Sequence, residues 1–475
     1  MPDTGKKLKS TVHFKHNFRT LFDYLDSLQI NYQVINHPVT RTLEQAAEVC
    51  DIPKNKLLRV VILSEAKKLF MAILPQDRFL DFSLLCKSLN REFNPAPLAV
   101  VEAIFEQCEP HSYPPAPKYF YMDSILDNSV LDLDEVYFEP GNHQTLIKMK
   151  CSDYLQLLRN IWQGNFSEPI TSMANVQTRK ENVSNQITQF VPRRLEGRSH
   201  EHIELPVMPP MADRLLHLRE DPDATVFDLA AMIEKDPSLA ARLINWAQSS
   251  YYGYPKTVAS VESAIVNVFD YNMMLNLALG LTINCSIKVP LEGPLGLKNY
   301  WQFSIYTASL VDSLIAEMPA SKKLNRGLAY LAAFLHNFGQ LVLAELFPSQ
   351  YYLLNRYLVV NPDVRIIDLE VHVLGVNHPQ MGAWLLKNWG LPIEVVTAVR
   401  WHHEEDYVDD HAIYSNLVFV AIRLLKRHHL GDAYSEEIPT AILEFLGLTD
   451  EQTTKILGNL ITEKAALDLI VKQLL

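Results

Sequence analysis

At 475 residues, with 48 % apolar and 21 % charged residues, the chain has room for two to four globular domains and excludes a disordered or low-complexity protein. A formal net charge of -12 disfavours non-specific attraction to nucleic-acid phosphates or to an anionic membrane surface. The five cysteines (Cys50, Cys86, Cys108, Cys151, Cys285) are scattered, odd in number and never in a CxxC pair, which argues against a disulfide framework or a structural zinc site and suits a reducing cytoplasm.

The first residues, MPDTGKKLKS, carry lysines with no apolar run behind them, so no secretory signal is visible. Leu21, Leu25 and Leu28 fall at helical spacing, NYQVIN reads as a short strand, and Thr42 with Gln45 forms a capping-box start for the helix LEQAAEVC. Two apolar runs, 57–63 and 69–75, joined by polar SEAKK, predict a hairpin in a buried sheet. Short helices are expected over Leu84–Asn90 and over Leu98–Phe105, the latter opened by Pro97. A proline-rich stretch, a strand VYFEP, a turn at Gly141-Asn142, a strand over 144–149 and a closing helix from Ser152 through Trp162 complete an α+β domain, a mixed sheet with helices, over 1–162.

The helix, INHPVTRT, EQAA, LLRVVIL, FMAILP, the proline-rich loop and the last strand before SDYLQLL resemble the YbaK / prolyl-tRNA-synthetase-associated editing domain family, over roughly residues 18–160. The resemblance implies hydrolysis of mischarged aminoacyl-tRNA by a pocket with a lysine at the start of the central strand and a glycine-bearing loop before a proline. Here Arg59 stands at the lysine position and His111 at the glycine, with His37 as a third candidate lining residue. Arginine keeps the charge but replaces a point donor with a planar fork, and histidine adds a side chain where backbone must approach a ligand. Residues 163–203 are polar and aperiodic, and read as a connector whose basic cluster Arg193, Arg194 and Arg198 is a solvated patch.

From residue 204 the pattern is all helical. Met211, Leu215 and Leu218 share a face, and Thr225 or Asp228 opens the next helix. Asp236 caps another with Pro237 behind it, Ser260 caps a fourth, and MMLNLALGLTI is apolar on nearly every side. Asp221-Pro222, Asp236-Pro237, the tract Ala240-Ala241-Arg242-Leu243 and Tyr252-Gly253 make this string resemble the HDOD family, a bacterial signalling branch of the HD superfamily, over 204–405; Phe269-Asp270 departs from its usual leucine-glycine. The resemblance implies an all-α helical bundle.

Related HD phosphohydrolases hold metals with an early His, a His-Asp doublet, later His residues and a final Asp. The corresponding positions here are Phe303, His336-Asn337 in the expected buried helix Leu331–Leu343, then His378, His402 and His403, and last Ile422 or a neighbour. Asparagine offers a dication no negative charge, so the remnant His336, Asn337, His378, His402 and His403 could at best hold a softer ion such as zinc or nickel. A catalytic divalent metal is therefore not expected, and no cofactor is.

Gly327–Ala344 is uncharged for 18 residues, but His336, Asn337 and Gln340 in its middle favour a buried helix over a membrane span. Trp384, Trp389 and Trp401 read as core, and Arg400 as a carbonyl partner at a helix end. The extension 406–475 adds an amphipathic helix over 411–429 and a helical tail that either packs on the bundle or binds a partner. The expectation is a soluble cytoplasmic signalling or scaffold protein without catalysis, with a degenerate editing pocket and a degenerate metal site. It recognises a protein or a small ligand, with tRNA contact open to residues 18–160 and no membrane. The competing expectations are an aminoacyl-tRNA deacylase and a metal-dependent phosphohydrolase.

Overall fold

A computed structural model describes residues 20–66, 68–171, 205–287, 293–322, 324–428, 430–431 and 437–475. The chain divides into two compact units, Met1–Asn175 with Val359–Asn361, and Val176–Leu358 with Pro362–Leu475.

In the first unit α1 (Leu21–Ser27) is closed by a capping box of Thr20 and Asp23. Strand β1 (Tyr32–Asn36) follows, then α2 (Leu43–Val49), where Thr42 accepts the Gln45 N–H as expected while the Gln45 amide turns to Arg41 N. The hairpin is present as β2 (Leu58–Glu65) and β3 (Lys68–Pro75), antiparallel from Leu58 opposite Pro75 to Glu65 opposite Lys68. Next come β4 (Arg78–Leu80), α3 (Phe82–Leu89), β5 (Asn94–Pro95), α4 (Leu98–Ile104), β6 (Asp123–Asp127), β7 (Glu135–Phe138), β8 (Thr145–Lys150), α5 (Cys151–Tyr154), β9 (Trp162–Gly164) and β10 (Ser167–Pro169). They form a five-stranded mixed sheet β5-β2-β3-β6-β9, a three-stranded sheet β1-β8-β7 and a pair β10-β4. Met71, Ile73, Leu126, Phe138, Ile147 and Tyr154 sit in one core beneath the sheets.

Three expectations fail here. Strand β6 has no alternation to announce it, because the central position of DSILD buries both faces at once, with Ser124 to Asp127 all enclosed. The closing helix through Trp162 is only one turn, capped by Lys150, and a 3-10 turn (Leu155–Leu157) follows it. Asn160, at φ +44°, then turns the chain into β9 alongside β6. The connector begins later than 163: Phe166 is fully buried, its N–H donates to Asp127 Oδ2 at 3.0 Å, and β10 pairs with β4. Arg193, Arg194 and Arg198 lie outside the described residues.

The second unit is all helix among the described residues. It holds α6 (Pro210–Glu220), α7 (Val226–Glu234), α8 (Pro237–Ala247), α9 (Val261–Asn267), α10 (Tyr271–Asn284), α11 (Leu297–Glu317), α12 (Arg326–Leu335) and α13 (Phe338–Leu346). After them come α14 (Pro348–Val360), α15 (Ile366–Leu374), α16 (His378–Asn388), α17 (Ile393–Trp401), α18 (Ala412–Lys426), α19 (Thr440–Leu446), α20 (Asp450–Thr462) and α21 (Lys464–Lys472). The starts are chemical. Thr225 and Asp228 make a capping box, Asp236 accepts the N–H groups of Ser238 and Leu239 ahead of Pro237, and Ser260 and Asp270 cap α9 and α10. Leu239, Leu243 and Trp246 are buried as the spacing predicts, whereas α6 buries Ala212 and Leu215 and leaves Met211 and Leu218 half-buried.

The stretch Leu331–Leu343 is not one helix. It breaks at His336-Asn337 into α12 and α13. One run among the described residues, Arg326–Leu346, is long and apolar enough for a membrane span, and its most apolar 18-residue window is wholly buried in the bundle. Helix α18 is not amphipathic: Tyr414 through Lys426 are all buried, because α11, α12 and α17 cover one side while α19 and α20 cover the other. The tail packs on the bundle, with Asp468 of α21 accepting from Tyr306 Oη at 2.9 Å and Gln302 Nε2 at 3.1 Å.

Candidate functional site: a buried histidine cluster

The break between α12 and α13 places His336 at the end of one helix, fully buried, with Nδ1 2.7 Å from Ala333 O. The break follows from packing. At Gly339 a Cβ would lie 1.9 Å from the carbonyl oxygen of His378, so α13 and α16 meet backbone to backbone at Gly339 and Gly382. That contact sets His378, the first residue of α16, where Asn377 and Gln380 close a capping box.

Glu370, projecting from α15, aims Oε2 at both the backbone N–H and the Nδ1 of His378, each at 2.8 Å, with both side chains at 0 % exposure. Since Oε2 accepts the backbone proton, it accepts from Nδ1 too, and the imidazole carries its hydrogen on Nδ1. His402 caps α17, and its Nδ1 lies 2.8 Å from Val399 O, an acceptor that fixes the same tautomer. The two remaining nitrogens, His378 Nε2 and His402 Nε2, face each other at 3.3 Å. His403 completes the group, its ring 4.3 Å from that of His402 and 5.2 Å from that of His378. The ligand atoms of these three residues lie within 4.8 Å of one another. His336 stacks edge-on to His402 at 5.2 Å.

Burial, reinforced by His336 and His378, holds His402 well below the ordinary imidazole value. Burial also holds His403 far down, with His402, His378 and the Lys426 ammonium adding to it. Both are neutral bases. The ring of Phe303 lies edge-on 5.4 Å from His336, and Phe419, Ile422 and Arg423 line a small pocket with His402 and His403. Phe303 and Ile422 thus both lie beside the cluster. Sequence reasoning missed Glu370, although two acids, Asp368 and Glu370, inside the apolar run IIDLEVHVL were a usable signal.

The hydrolytic dication of HD enzymes does not fit this donor set. Among the described residues the only grouping with ligand spacing is three imidazoles, those of His378, His402 and His403. Glu370 is committed through Oε2 to His378, and Asn337 offers an amide. Among the described residues no carboxylate joins that grouping to offset a hard dication's charge or to tune its water. Arg400 is not a carbonyl partner through Nε, which is buried without a hydrogen bond; its guanidinium lies 4.1 Å over Trp401.

In the first unit the editing-type candidates lie on β2 (Arg59) and on two loops (His37, His111). His37, whose Nδ1 lies 2.8 Å from Pro38 O, and His111 both flank the segment His143-Gln144: Gln144 O accepts from His37 N, and Pro110 O meets the His143 ring at 2.9 Å. Arg59 lies on β2, opposite Leu74, with Nη2 donating to Arg78 O of β4 at 3.0 Å. His111 adopts φ +69°, the left-handed backbone for which glycine is suited.

His143, which no sequence signal marked, ties this loop down. Its Nδ1 is 3.0 Å from Glu139 Oε1, its Nε2 meets Pro110 O, and its backbone N–H donates to Glu109 Oε2 at 2.7 Å. The Glu139 carboxylate, opposed by burial and helped by Glu109, raises the imidazole above its ordinary value. A raised folded value means stabilisation that is full below the unfolded value of about 6.5 and is lost as pH climbs through the folded one. The melting-temperature gap between wild type and His143→Gln is therefore expected to be widest near about pH 6 and to close by about pH 9. A gap that stays constant across that range removes the imidazolium from the loop.

Residues 205–405 match the family model of the HDOD domain, and residues 37–157 that of the aminoacyl-tRNA editing domain. The chain is similar to the crystal structure of a protein from Marinobacter aquaeolei VT8 provisionally described as a signal transduction protein, at 29 % identity and a TM-score of 0.77, covering 93 % of this chain and 96 % of that one. An HDOD domain protein of unknown function from Geobacter sulfurreducens matches at 21 % identity and a TM-score of 0.49, over 62 % of this chain and 99 % of that one. An uncharacterised protein of Treponema pallidum (strain Nichols) is 24 % identical over 260 residues; the match takes in 52 % of this chain and spans 47 % of that curated relative's length. The chain thus joins a YbaK-like aminoacyl-tRNA editing domain to an HDOD domain of the HD superfamily.

Proposed function

We propose that this protein acts in signal transduction as a non-catalytic scaffold, recognising a protein partner or a small ligand through its HDOD unit. The observation that carries this reading is the composition of the buried cluster: neutral His402 and His403 beside His378, with Phe303 and Ile422 where a hydrolase needs ligands. A phosphoester entering such a site meets no metal-activated water. The likeness to the Marinobacter protein, along nearly the whole length of both chains, supports a signalling role.

A second reading, aminoacyl-tRNA deacylation by the first unit, is favoured by the glycine-like backbone retained at His111. Arg59 would serve it as an anion partner, while His37 and His111 lie at the loop on the His143 side. Two assays decide. Full-length protein is expected to release no product from model phosphodiesters or cyclic dinucleotides with magnesium, manganese or zinc added, and to leave a panel of mischarged tRNAs intact. Turnover of tRNA that disappears in Arg59→Ala would replace the scaffold reading for the first unit, and metal-dependent phosphoester turnover lost in His378→Gln would replace it for the second. A partner retained by full-length protein on a pull-down, and released by a substitution in the HDOD unit, would support it.

A further inference from the structure

We infer that strand β1 is a self-association edge, through which two copies of this chain join antiparallel about a two-fold axis at Val34. The inference rests on the first unit alone and is independent of the signalling reading. Strand β1 (Tyr32–Asn36) ends the sheet β1-β8-β7 on one side and, among the described residues, pairs with β8 only. His37 N donates to Gln144 O at 3.0 Å, in register with the β1–β8 ladder. Antiparallel partners alternate between bonded and unbonded pairs, so Ile35 and Gln33 turn their N–H and C=O toward β8 as His37 does. The amides of Tyr32, Val34 and Asn36 point the other way, and among the described residues no backbone group meets them there.

Natural sheets guard such an edge with lysine, proline, a bulge or a covering element. Here Tyr32–Asn36 holds no charge and no proline, and its register with β8 runs without a bulge. Val34 lies opposite Ile147 of the core and is still 46 % exposed. Ile35, on the other face, is only partly covered by the small cluster of Ala46, Ala47 and Leu146.

The occupant is a second copy because the edge complements itself. From Ser27 through Thr40 the chain carries no Asp, Glu, Lys or Arg although its net charge is -12, so two copies meet there without repulsion. With the axis at Val34, that residue meets Val34 of the second copy, Tyr32 meets Asn36, and all three outward positions fall on bonded pairs. A slip of one residue sets outward amides against inward ones and forfeits those bonds. The Tyr32 end, where the tyrosine hydroxyl donates to Asp26 Oδ1 at 2.9 Å, comes beside the end that runs on to Arg41, so opposite charges approach. Pro38 has no N–H to give and ends the pairing. Two five-residue strands cover less than the roughly 1,200 Å² at which stable interfaces begin, so the association is reversible and micromolar.

The test is sedimentation velocity on the full-length chain from low to high micromolar concentration. Wild type is expected to pass reversibly from monomer to dimer. Val34→Lys, which sets like charges face to face at the axis, is expected to weaken the dimer roughly tenfold or more. Val34→Asp is expected to do the same, and an equimolar mixture of the two variants to dimerise again, since the axis pairs position 34 with itself. That mixture separates lost contact from lost folding, because misfolded variants do not rescue each other. Leu98→Lys, which removes a different exposed apolar side chain of this unit, is expected to leave the dimer unchanged. Wild type that stays monomeric across the range overturns the inference, as does a Val34→Lys dimer as tight as wild type. A mixture that fails to reassociate overturns the axis at Val34. None of these readouts involves phosphoester or tRNA turnover, so this inference and the proposed function fail separately.

Discussion

Gly339→Ala is expected to cost the HDOD unit about 3 kcal/mol or more, at the upper end of what overpacking does. The added carbon would stand 1.9 Å from His378 O and 2.7 Å from its carbonyl carbon, both backbone atoms that no rotamer change can move. Relief requires α13 and α16 to separate, and that opens the layer holding Phe338, Leu341 and Met381. Five of the six tryptophans, Trp246, Trp301, Trp384, Trp389 and Trp401, belong to this unit, so urea unfolding followed by fluorescence reports it directly. A midpoint within error of wild type would mean that the backbone contact is not formed. Gly382→Ala, whose Cβ would meet Gly339 N at 2.9 Å, is a milder version of the same test.

The second large effect is expected from Glu370→Ala. Its carboxylate is completely enclosed and accepts two hydrogen bonds from one residue, His378, through Oε2. Removing it leaves a buried N–H at the first turn of α16 and a buried imidazole N–H without an acceptor, together with a cavity. Breaking a buried charged pair from one side costs about 3–5 kcal/mol, and that is the size of loss to measure by urea unfolding. Glu370→Gln keeps an oxygen of similar position and is expected to lose less than half as much. Equal losses in the two variants would show that volume, not hydrogen bonding, is what Glu370 supplies.

These two residues also mark where sequence reasoning stopped. Caps and periodicity were readable because they are local: Thr225, Asp236 and Ser260 begin helices where expected, and Leu239, Leu243 and Trp246 face inward. The hairpin of β2 and β3 was equally plain, since a polar turn between two apolar runs leaves few other pairings. By contrast, the interruption at His336-Asn337 depends on a glycine contact some forty residues away along the chain, and nothing in LAAFLHNFGQLVL reports that neighbour. Strand β6 was missed for a related reason, as a central strand buried on both faces shows no alternation.

At the candidate site, residue types were legible and tautomers were not. His378, His402 and His403 could be singled out from the sequence, and the structure brings these three together. That the Nε2 atoms of His378 and His402 face each other depends on Glu370 and on Val399 O, which come from tertiary packing. In the first unit, the φ of +69° at His111 could not be read from the sequence, nor could the bond from Arg59 on β2 to Arg78 O of β4.

The enclosure of α18 bears on how this protein can be divided for study. The family match stops at residue 405, ahead of the helix whose residues Tyr414 to Lys426 are sealed on every side. A fragment trimmed to that boundary would strip α11, α12 and α17 of their neighbour and present their oily flanks to water, inviting aggregation. The smallest independently soluble version of the helical half should therefore run to the final residues, and recombinant pieces ending near 405 are expected in inclusion bodies.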